Sequence, residues 1–323
     1  MKLGKLLAGV AVSALLATGA SAEGPTLKFG HVGNPGSLFE ATVNNFAECV
    51  NATGKATVEV FGSSQLGKDK ELLQKLKLGQ VDFALPSSVM SSVSDVFGVF
   101  EMPYIIKDRD HMRRVQAAMM DKVFQPAVNA KGYEIIGLME NGFRHITNNV
   151  RPINKPEDLA GIKLRTPKGA WRVKMFKLYG ANPTPMAFSE VFTALKTGVI
   201  DGQENPYAQI WSAKFQEVQK YLSITGHVYT PGYVLTSKSH FAKLPEDVQA
   251  ALRQCGKESQ DFVYKEAARL ETELLENLKK GGIEVTTADK EAFIAASKPI
   301  YEEFASTVKG GQALVDEIQK LAK

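Results

Sequence analysis

The chain has 323 residues, with 39 Lys and Arg against 35 Asp and Glu, and a formal net charge of +4. That near balance excludes the strong basic footprint of a nucleic-acid binder. Its 23% charged and 44% hydrophobic residues are ordinary for a globular protein, and 2 cysteines are too few for a disulfide-built scaffold and too isolated for a zinc site.

Residues 1–22 read as a secretion signal. Lys2 and Lys5 give a positive start, Leu6 to Ala17 is apolar and uncharged, and Ala20-Ser21-Ala22 is a small-x-small cleavage site. The apolar run is too short to span the ~30 Å hydrocarbon core as a helix, which argues against an anchor. Cleavage after Ala22 would leave about 300 residues, a size that suits two lobes better than one core. The mature charge falls to about +2 once Lys2 and Lys5 are gone, which again argues against nucleic acid. In the oxidising compartment beyond the membrane, one long-range bridge between Cys49 and Cys255 is open, beside the alternative of two buried thiols.

The mature chain opens with a strand, Leu27 to Val32. A helical stripe follows at three- and four-residue steps: Leu38, Phe39, Val43, Phe46, Cys49 and Val50. Gly54 stops it. Ala56 to Phe61 alternates as a strand, Leu72 to Leu78 marks a second helix, and Val81 to Leu85 a third strand. This rhythm predicts a parallel sheet with helical crossovers. Tyr133 to Met139 and Gly161 to Arg165 read as further strands, Trp171 to Tyr179 as a helix. Ser189 to Thr197 reads as another helix, with Ser189 as its N-cap. Val199 to Gln203 enters a loop, Tyr233 to Ser237 is a late strand, and from Pro245 the chain is nearly all helix. Asp247 to Lys280 has no proline and one glycine, Gly256. Two α/β lobes strapped by a long C-terminal helix fit this order.

No catalytic pattern stands out. The five histidines, His31, His111, His145, His227 and His240, include no i, i+4 pair of the helical zinc type. Neither G-x-S-x-G nor G-x-G-x-x-G occurs. Gly62 to Lys68 has P-loop spacing, but the magnesium-ligating Ser or Thr is replaced by Asp69.

Four segments are richer. They are Asn141 to Asn149 after a buried strand, Gly161 to Pro167, Pro183 to Glu190, and the turn-rich Asp201 to Pro206. Ligands of open α/β sheets bind where loops leave the carboxyl ends of strands. An arginine there offers a planar fork that matches a carboxylate with two parallel hydrogen bonds. Singly, each residue also has an ordinary explanation: a solvated charge for Arg165, a turn residue for Asn205, a core side chain for Phe188.

Together the segments resemble the DctP-type substrate-binding proteins of TRAP (tripartite ATP-independent periplasmic) transporters. The resemblance runs through Ser63 to Gly67, Asp82-Phe83, Gly142 to Arg144, Lys163 to Arg165, Pro185 to Glu190, Asp201 to Pro206, Lys214 to Lys220 and Leu244 to Asp247. It implies an α/β, two-lobed periplasmic binding protein fold, with a ligand cleft between the lobes, a long C-terminal helical region and hinge closure. The implied division is 1–22 signal peptide, 23–142 plus 231–270 lobe I, and 143–230 plus 271–323 lobe II. Cys49 and Cys255 then fall in the same lobe.

The resemblance assigns Arg165 the carboxylate clamp, Arg144 a second arginine, Asn205 a hydrogen bond to the ligand, and Phe188 an aromatic lid. His227 sits where some members contact ligand, and His31, Ser87, Trp171, Arg172 and Tyr207 are candidate specificity positions. Sialic-acid-type members carry Glu where this chain has Ser87, and Asn near Val32, so sialic acid is disfavoured. The expected function is capture of a small organic carboxylate: a dicarboxylate, a sugar acid or a 2-oxo or hydroxy acid. Delivery would be to the small and large membrane subunits of a TRAP permease, by a monomer with no cofactor, metal or ATPase. A periplasmic hydrolase or a ligand sensor are the alternatives, and the first lacks a nucleophile–base constellation.

Overall fold

The computed structural model describes residues 24–323; the expected signal segment lies outside them. Eleven strands form two sheets among the described residues. The first holds β1 (Thr26–Gly30), β2 (Thr57–Phe61), β3 (Phe83–Ala84), β4 (Tyr133–Phe143) and β10 (Tyr229–Ser237), in the order β2-β1-β3-β10-β4. The second holds β5 (His145–Asn148), β6 (Lys163–Thr166), β7 (Asn182–Pro185), β8 (Gly202–Asn205), β9 (Tyr221–Ile224) and β11 (Glu284–Thr287), in the order β11-β9-β5-β8-β6-β7.

The expected parallel rhythm holds locally: β1 pairs in parallel with β2 and β3, and β6 with β7 and β8. Both sheets are nevertheless mixed. β10 returns antiparallel between β3 and β4, and β5 is antiparallel to β8 and β9.

Helix α1 (Leu38–Ala52) starts where Ser37 Oγ accepts from Glu40 N at 3.2 Å, and it buries the predicted Leu38, Phe39, Val43, Phe46 and Val50. Its Phe46 ring meets Phe29 of β1 at 5.6 Å and Phe83 of β3 at 5.7 Å, so helix and sheet share one apolar layer. α2 (Asp69–Lys77) follows the loop after β2. α3 (Arg109–Met119) runs through a π-helical turn into α4 (Gln125–Asn129), and α5 (Ala170–Leu178) follows β6.

The next helix departs from expectation. Phe188–Glu190 is a 3-10 turn, and α6 spans Val191–Lys196. Ser189 lies inside that turn and caps nothing, since the position before α6 is Glu190, whose carboxylate instead reaches back to accept from Ala187 N–H at 3.0 Å. Then come α7 (Tyr207–Ser212), α8 (Lys238–Phe241) and the 35-residue α9 (Glu246–Lys280), roughly 52 Å long at 1.5 Å per residue. α10 (Lys290–Ala296), α11 (Lys298–Thr307) and α12 (Gly311–Lys320) complete the chain.

Gly256 has a packing reason. A Cβ there would come 2.4 Å from Ile136 O, and one on Gly137 would come 2.7 Å from Gly256 O. α9 therefore crosses β4 backbone against backbone. Cys49 of α1 and Cys255 of α9 are joined by a disulfide, with Cα atoms 5.7 Å apart.

The chain passes between the sheets three times. β4 runs into β5 through Arg144, β9 into β10 through residues 225–228, and α9 leads from β10 to β11. The first two crossings lie side by side, since Arg144 N donates to Val228 O at 2.9 Å. The C-terminal helices bridge further: Phe304 of α11 packs on Trp171 of α5, while His111 Nε2 of α3 meets Ile318 O of α12 at 2.8 Å.

Candidate functional site in the cleft between the sheets

A cavity opens between the two sheets, lined from both. Val32, Phe39, Asp69, Ser87, Ser88, Val89 and Asn141 come from the first-sheet side, and Arg165, Pro167, Phe188, Asn205 and Gln209 from the second, with Arg144 on the crossing. Of the residues singled out from sequence, it gathers Arg165, Arg144, Asn205, Phe188 and Ser87. His227, His31, Trp171, Arg172 and Tyr207 do not line it.

Three arginines are buried among the described residues: Arg144, Arg165 and Arg172. Two are spent on protein carboxylates. Arg144 Nε donates to Glu204 Oε2 at 2.5 Å, and its Nη2 to Glu204 Oε1 and Asn205 Oδ1, both at 3.0 Å. Arg172 Nη1 donates to the same Glu204 Oε2 at 2.6 Å. Its Nε lies 2.8 Å from Glu101 Oε2, an ion-pair distance without hydrogen-bond alignment. Burial alone would raise the Glu204 carboxyl. Arg144 and Arg172 outweigh that and hold it far below the usual carboxylate range.

His227 completes this cluster, with Nε2 3.2 Å from Glu204 Oε2 and Nδ1 2.7 Å from Thr225 Oγ1. Burial pushes it down to about 4 despite Glu204, so it is neutral at pH 7. Arg172 and His227 thus stand behind the cavity wall and hold Glu204, which in turn accepts from Arg144.

Arg165 differs. It lies next to the last residue of the short β6, held in parallel register with Gln203 of β8 and Thr184 of β7. Its Nε and Nη2 donate to Met186 O at 3.1 and 2.8 Å, and no described acid lies within ion-pair distance. Only 4% exposed, it is pushed down by burial to about 10 and stays charged at neutral pH. Asp69, at the start of α2, shares the cavity. Its surroundings push its carboxyl up to about 6, against the pull of Arg165.

Phe188 is half-buried and packs edge-on to Phe215 at 5.8 Å. Ser87 Oγ donates to Pro231 O at 2.8 Å. The remaining positions sit elsewhere. His31 is buried behind β1 with neither ring nitrogen partnered. Trp171 is held by Phe304 and Lys174, and Tyr207 stacks on His145 at 4.2 Å beside a separate small cavity with Arg109 and Glu140.

Sequence reasoning gave no role to Ser88, Asn141, Gln209 or Glu204, and read Asp69 only as a P-loop defect. Asn141 and Glu204 lie inside quoted segments. Ser88 and Gln209 carried no signal beyond their place after a strand or loop. Among the described residues, no cluster of His, Cys, Asp and Glu could hold a metal ion, and no helix is long and apolar enough to cross a membrane.

Comparison with known proteins gives a consistent picture. Residues 29–307 match the family model for bacterial extracellular solute-binding proteins, family 7. The 2,3-diketo-L-gulonate-binding periplasmic protein YiaO of Escherichia coli is 33% identical over 82% of this chain and 83% of its own. The sugar acid binding protein DctPAm of Advenella mimigardefordensis, solved with galactonate, superposes with a TM-score of 0.88 at 33% identity, covering 93% of this chain and 98% of its own. A TRAP periplasmic solute-binding protein of Sulfurospirillum deleyianum, solved with succinate, gives 0.87 at 33% identity, covering 92% and 99%.

Proposed function

Because the chain belongs to the bacterial extracellular solute-binding proteins of family 7, the DctP family of TRAP transporters, we propose that it captures a small organic carboxylate by an arginine clamp and delivers it to a TRAP permease. One observation carries this reading: Arg165 is the buried arginine of the cleft with no carboxylate within ion-pair distance among the described residues. An isolated buried charge is costly unless something pairs with it. A ligand carboxylate supplies that pair, and the guanidinium offers a fork matched to it.

Arg144, Asn205 and Phe188 support the clamp from the same cavity. Arg144 is bound to Glu204 on one side, so it stiffens the crossing between sheets while facing the ligand with the rest of its head group. The relatives' ligands, 2,3-diketo-L-gulonate, galactonate and succinate, all carry a carboxylate, which supports the dicarboxylate, sugar-acid and 2-oxo or hydroxy-acid range. Delivery would be to the small and large TRAP membrane subunits, by a monomer released after cleavage at Ala22.

A thermal-shift screen over organic acids, followed by calorimetry on the hits, tests this. At least one acid should raise the midpoint and bind, and its neutral amide should not. A panel on which no carboxylate binds, or on which amides bind as well as acids, sinks the reading.

A further inference from the structure

Resting on that carboxylate reading, we propose that Gln209 is a specificity residue accepting a hydrogen bond from a ligand hydroxyl, so that the cleft selects hydroxy acids over plain dicarboxylates and 2-oxo acids. Gln209 ends a hydrogen-bond relay whose direction is fixed at its far end. A backbone carbonyl only accepts, so Ser87 Oγ donates its proton to Pro231 O, at 2.8 Å. The Ser87 oxygen then accepts from Asn141 Nδ2, at 3.2 Å. That contact turns Asn141 Oδ1 toward Gln209, where it accepts from Nε2 at 3.3 Å.

The relay therefore ends on Gln209 Oε1, an acceptor. That atom is buried and has no partner among the described residues, and Gln209 itself is 3% exposed and lines the cavity. Ser88 Oγ, on the facing side, is likewise buried and unpartnered. Reversing Gln209 would set its NH2 against nothing while pressing Oε1 on Asn141 Oδ1, so the polarity is locked from Pro231 inward.

A buried acceptor without a donor is unfavourable, and the ligand is what can supply one. A hydroxyl brings a proton. A second carboxylate or a keto oxygen brings only lone pairs, and would face the Oε1 acceptor in a cavity that the Asp69 carboxyl also lines. The recognition logic is that of a site built to bond a hydroxyl, which rejects the analogue lacking it.

Calorimetry on the full mature protein with four-carbon acids tests this: erythronate against butanoate, succinate and 2-oxobutanoate, with galactonate as a longer hydroxy acid. Wild type should bind a hydroxy acid at least about tenfold tighter than the deoxy, oxo and dicarboxylate compounds. Gln209→Met, with unliganded thermal unfolding as the folding control, should lose about tenfold for the hydroxy acid and leave the others within about twofold. A wild-type preference for succinate, 2-oxobutanoate or butanoate, or no binding of either hydroxy acid, overturns the proposal, and that comparison needs no variant. So does a folded Gln209→Met that keeps hydroxy-acid affinity. Arg165→Ala separates the two readings: if it alone abolishes binding while Gln209→Met is silent, the clamp stands and the hydroxyl acceptor falls.

Discussion

Arg144 and Arg165 line one cleft in opposite electrostatic conditions. Arg144 shares Glu204 with Arg172, so its charge is already compensated. Arg165 has a carbonyl for two of its nitrogens and, among the described residues, no acid within ion-pair distance. Removing Arg144 would break a buried ion pair and leave Glu204 to Arg172 and His227, and breaking such a pair costs up to about 3–5 kcal/mol in stability. Removing Arg165 breaks no ion pair among the described residues, so its loss should appear chiefly in binding. The histidines behind the cleft carry a pH signature. His31 is pushed by burial down to about 4, against about 6.5 in the unfolded chain. The unfolded state thus binds the proton first, and this residue's contribution is whole above pH 6.5 and lost as pH falls from there toward 4. Unfolding of wild type and His31→Asn, compared at about pH 7.5 and about pH 5, should show wild type losing about 2 kcal/mol relative to the variant on acidification. A gap that stays constant with pH would mean His31 titrates normally in the fold.

Helices and strands with one apolar face were legible because burial imposes a period: the stripe from Leu38 to Val50 is the buried face of α1. Three features were not legible. β10 inserts between β3 and β4 by pairing across some 150 residues of chain, which no local period encodes. The end of the Gly62–Lys68 loop mimics a P-loop in spacing, yet it bends through Ser63 and Ser64 at φ of 50° and 62° and delivers Asp69 to the cleft. Gly256, the lone glycine of α9, marks where that helix meets the β4 backbone, and spacing alone could not say so. Its replacement poses opposed effects. Alanine gains about 1 kcal/mol of helix propensity, but its Cβ would sit 2.4 Å from Ile136 O, a backbone atom that cannot rotate away. Overpacking of this kind costs about 1–3 kcal/mol or more. On balance Gly256→Ala should destabilise, by up to about 2 kcal/mol in urea unfolding; a more stable variant would mean that α9 rides farther from β4.

At the scale of the molecule, two mixed sheets face each other across a cleft, joined by two adjacent crossings and one long helix. The repeated α/β rhythm made two lobes readable, and the combination of short segments made the family readable. Which polar side chains meet across the cleft was only partly readable. Arg165, Arg144, Asn205, Phe188 and Ser87 converge on it, while Arg172 and His227 turn away because Glu204 recruits them into a buried charge cluster. Gln209 gains its role from a relay running through Asn141 and Ser87 to Pro231, four positions spread over both sheets' sequence segments. The central claim is that Arg165 waits for an anion. Calorimetry with an organic acid bound by wild type, repeated on Arg165→Lys and Arg165→Ala with circular dichroism as the folding control, tests it most directly. Lysine keeps the charge but not the fork, so it should bind poorly. Alanine should lose about 2–5 kcal/mol, at least about 30-fold in affinity, with the fold intact. A folded Arg165→Ala that binds within about twofold of wild type would contradict the account.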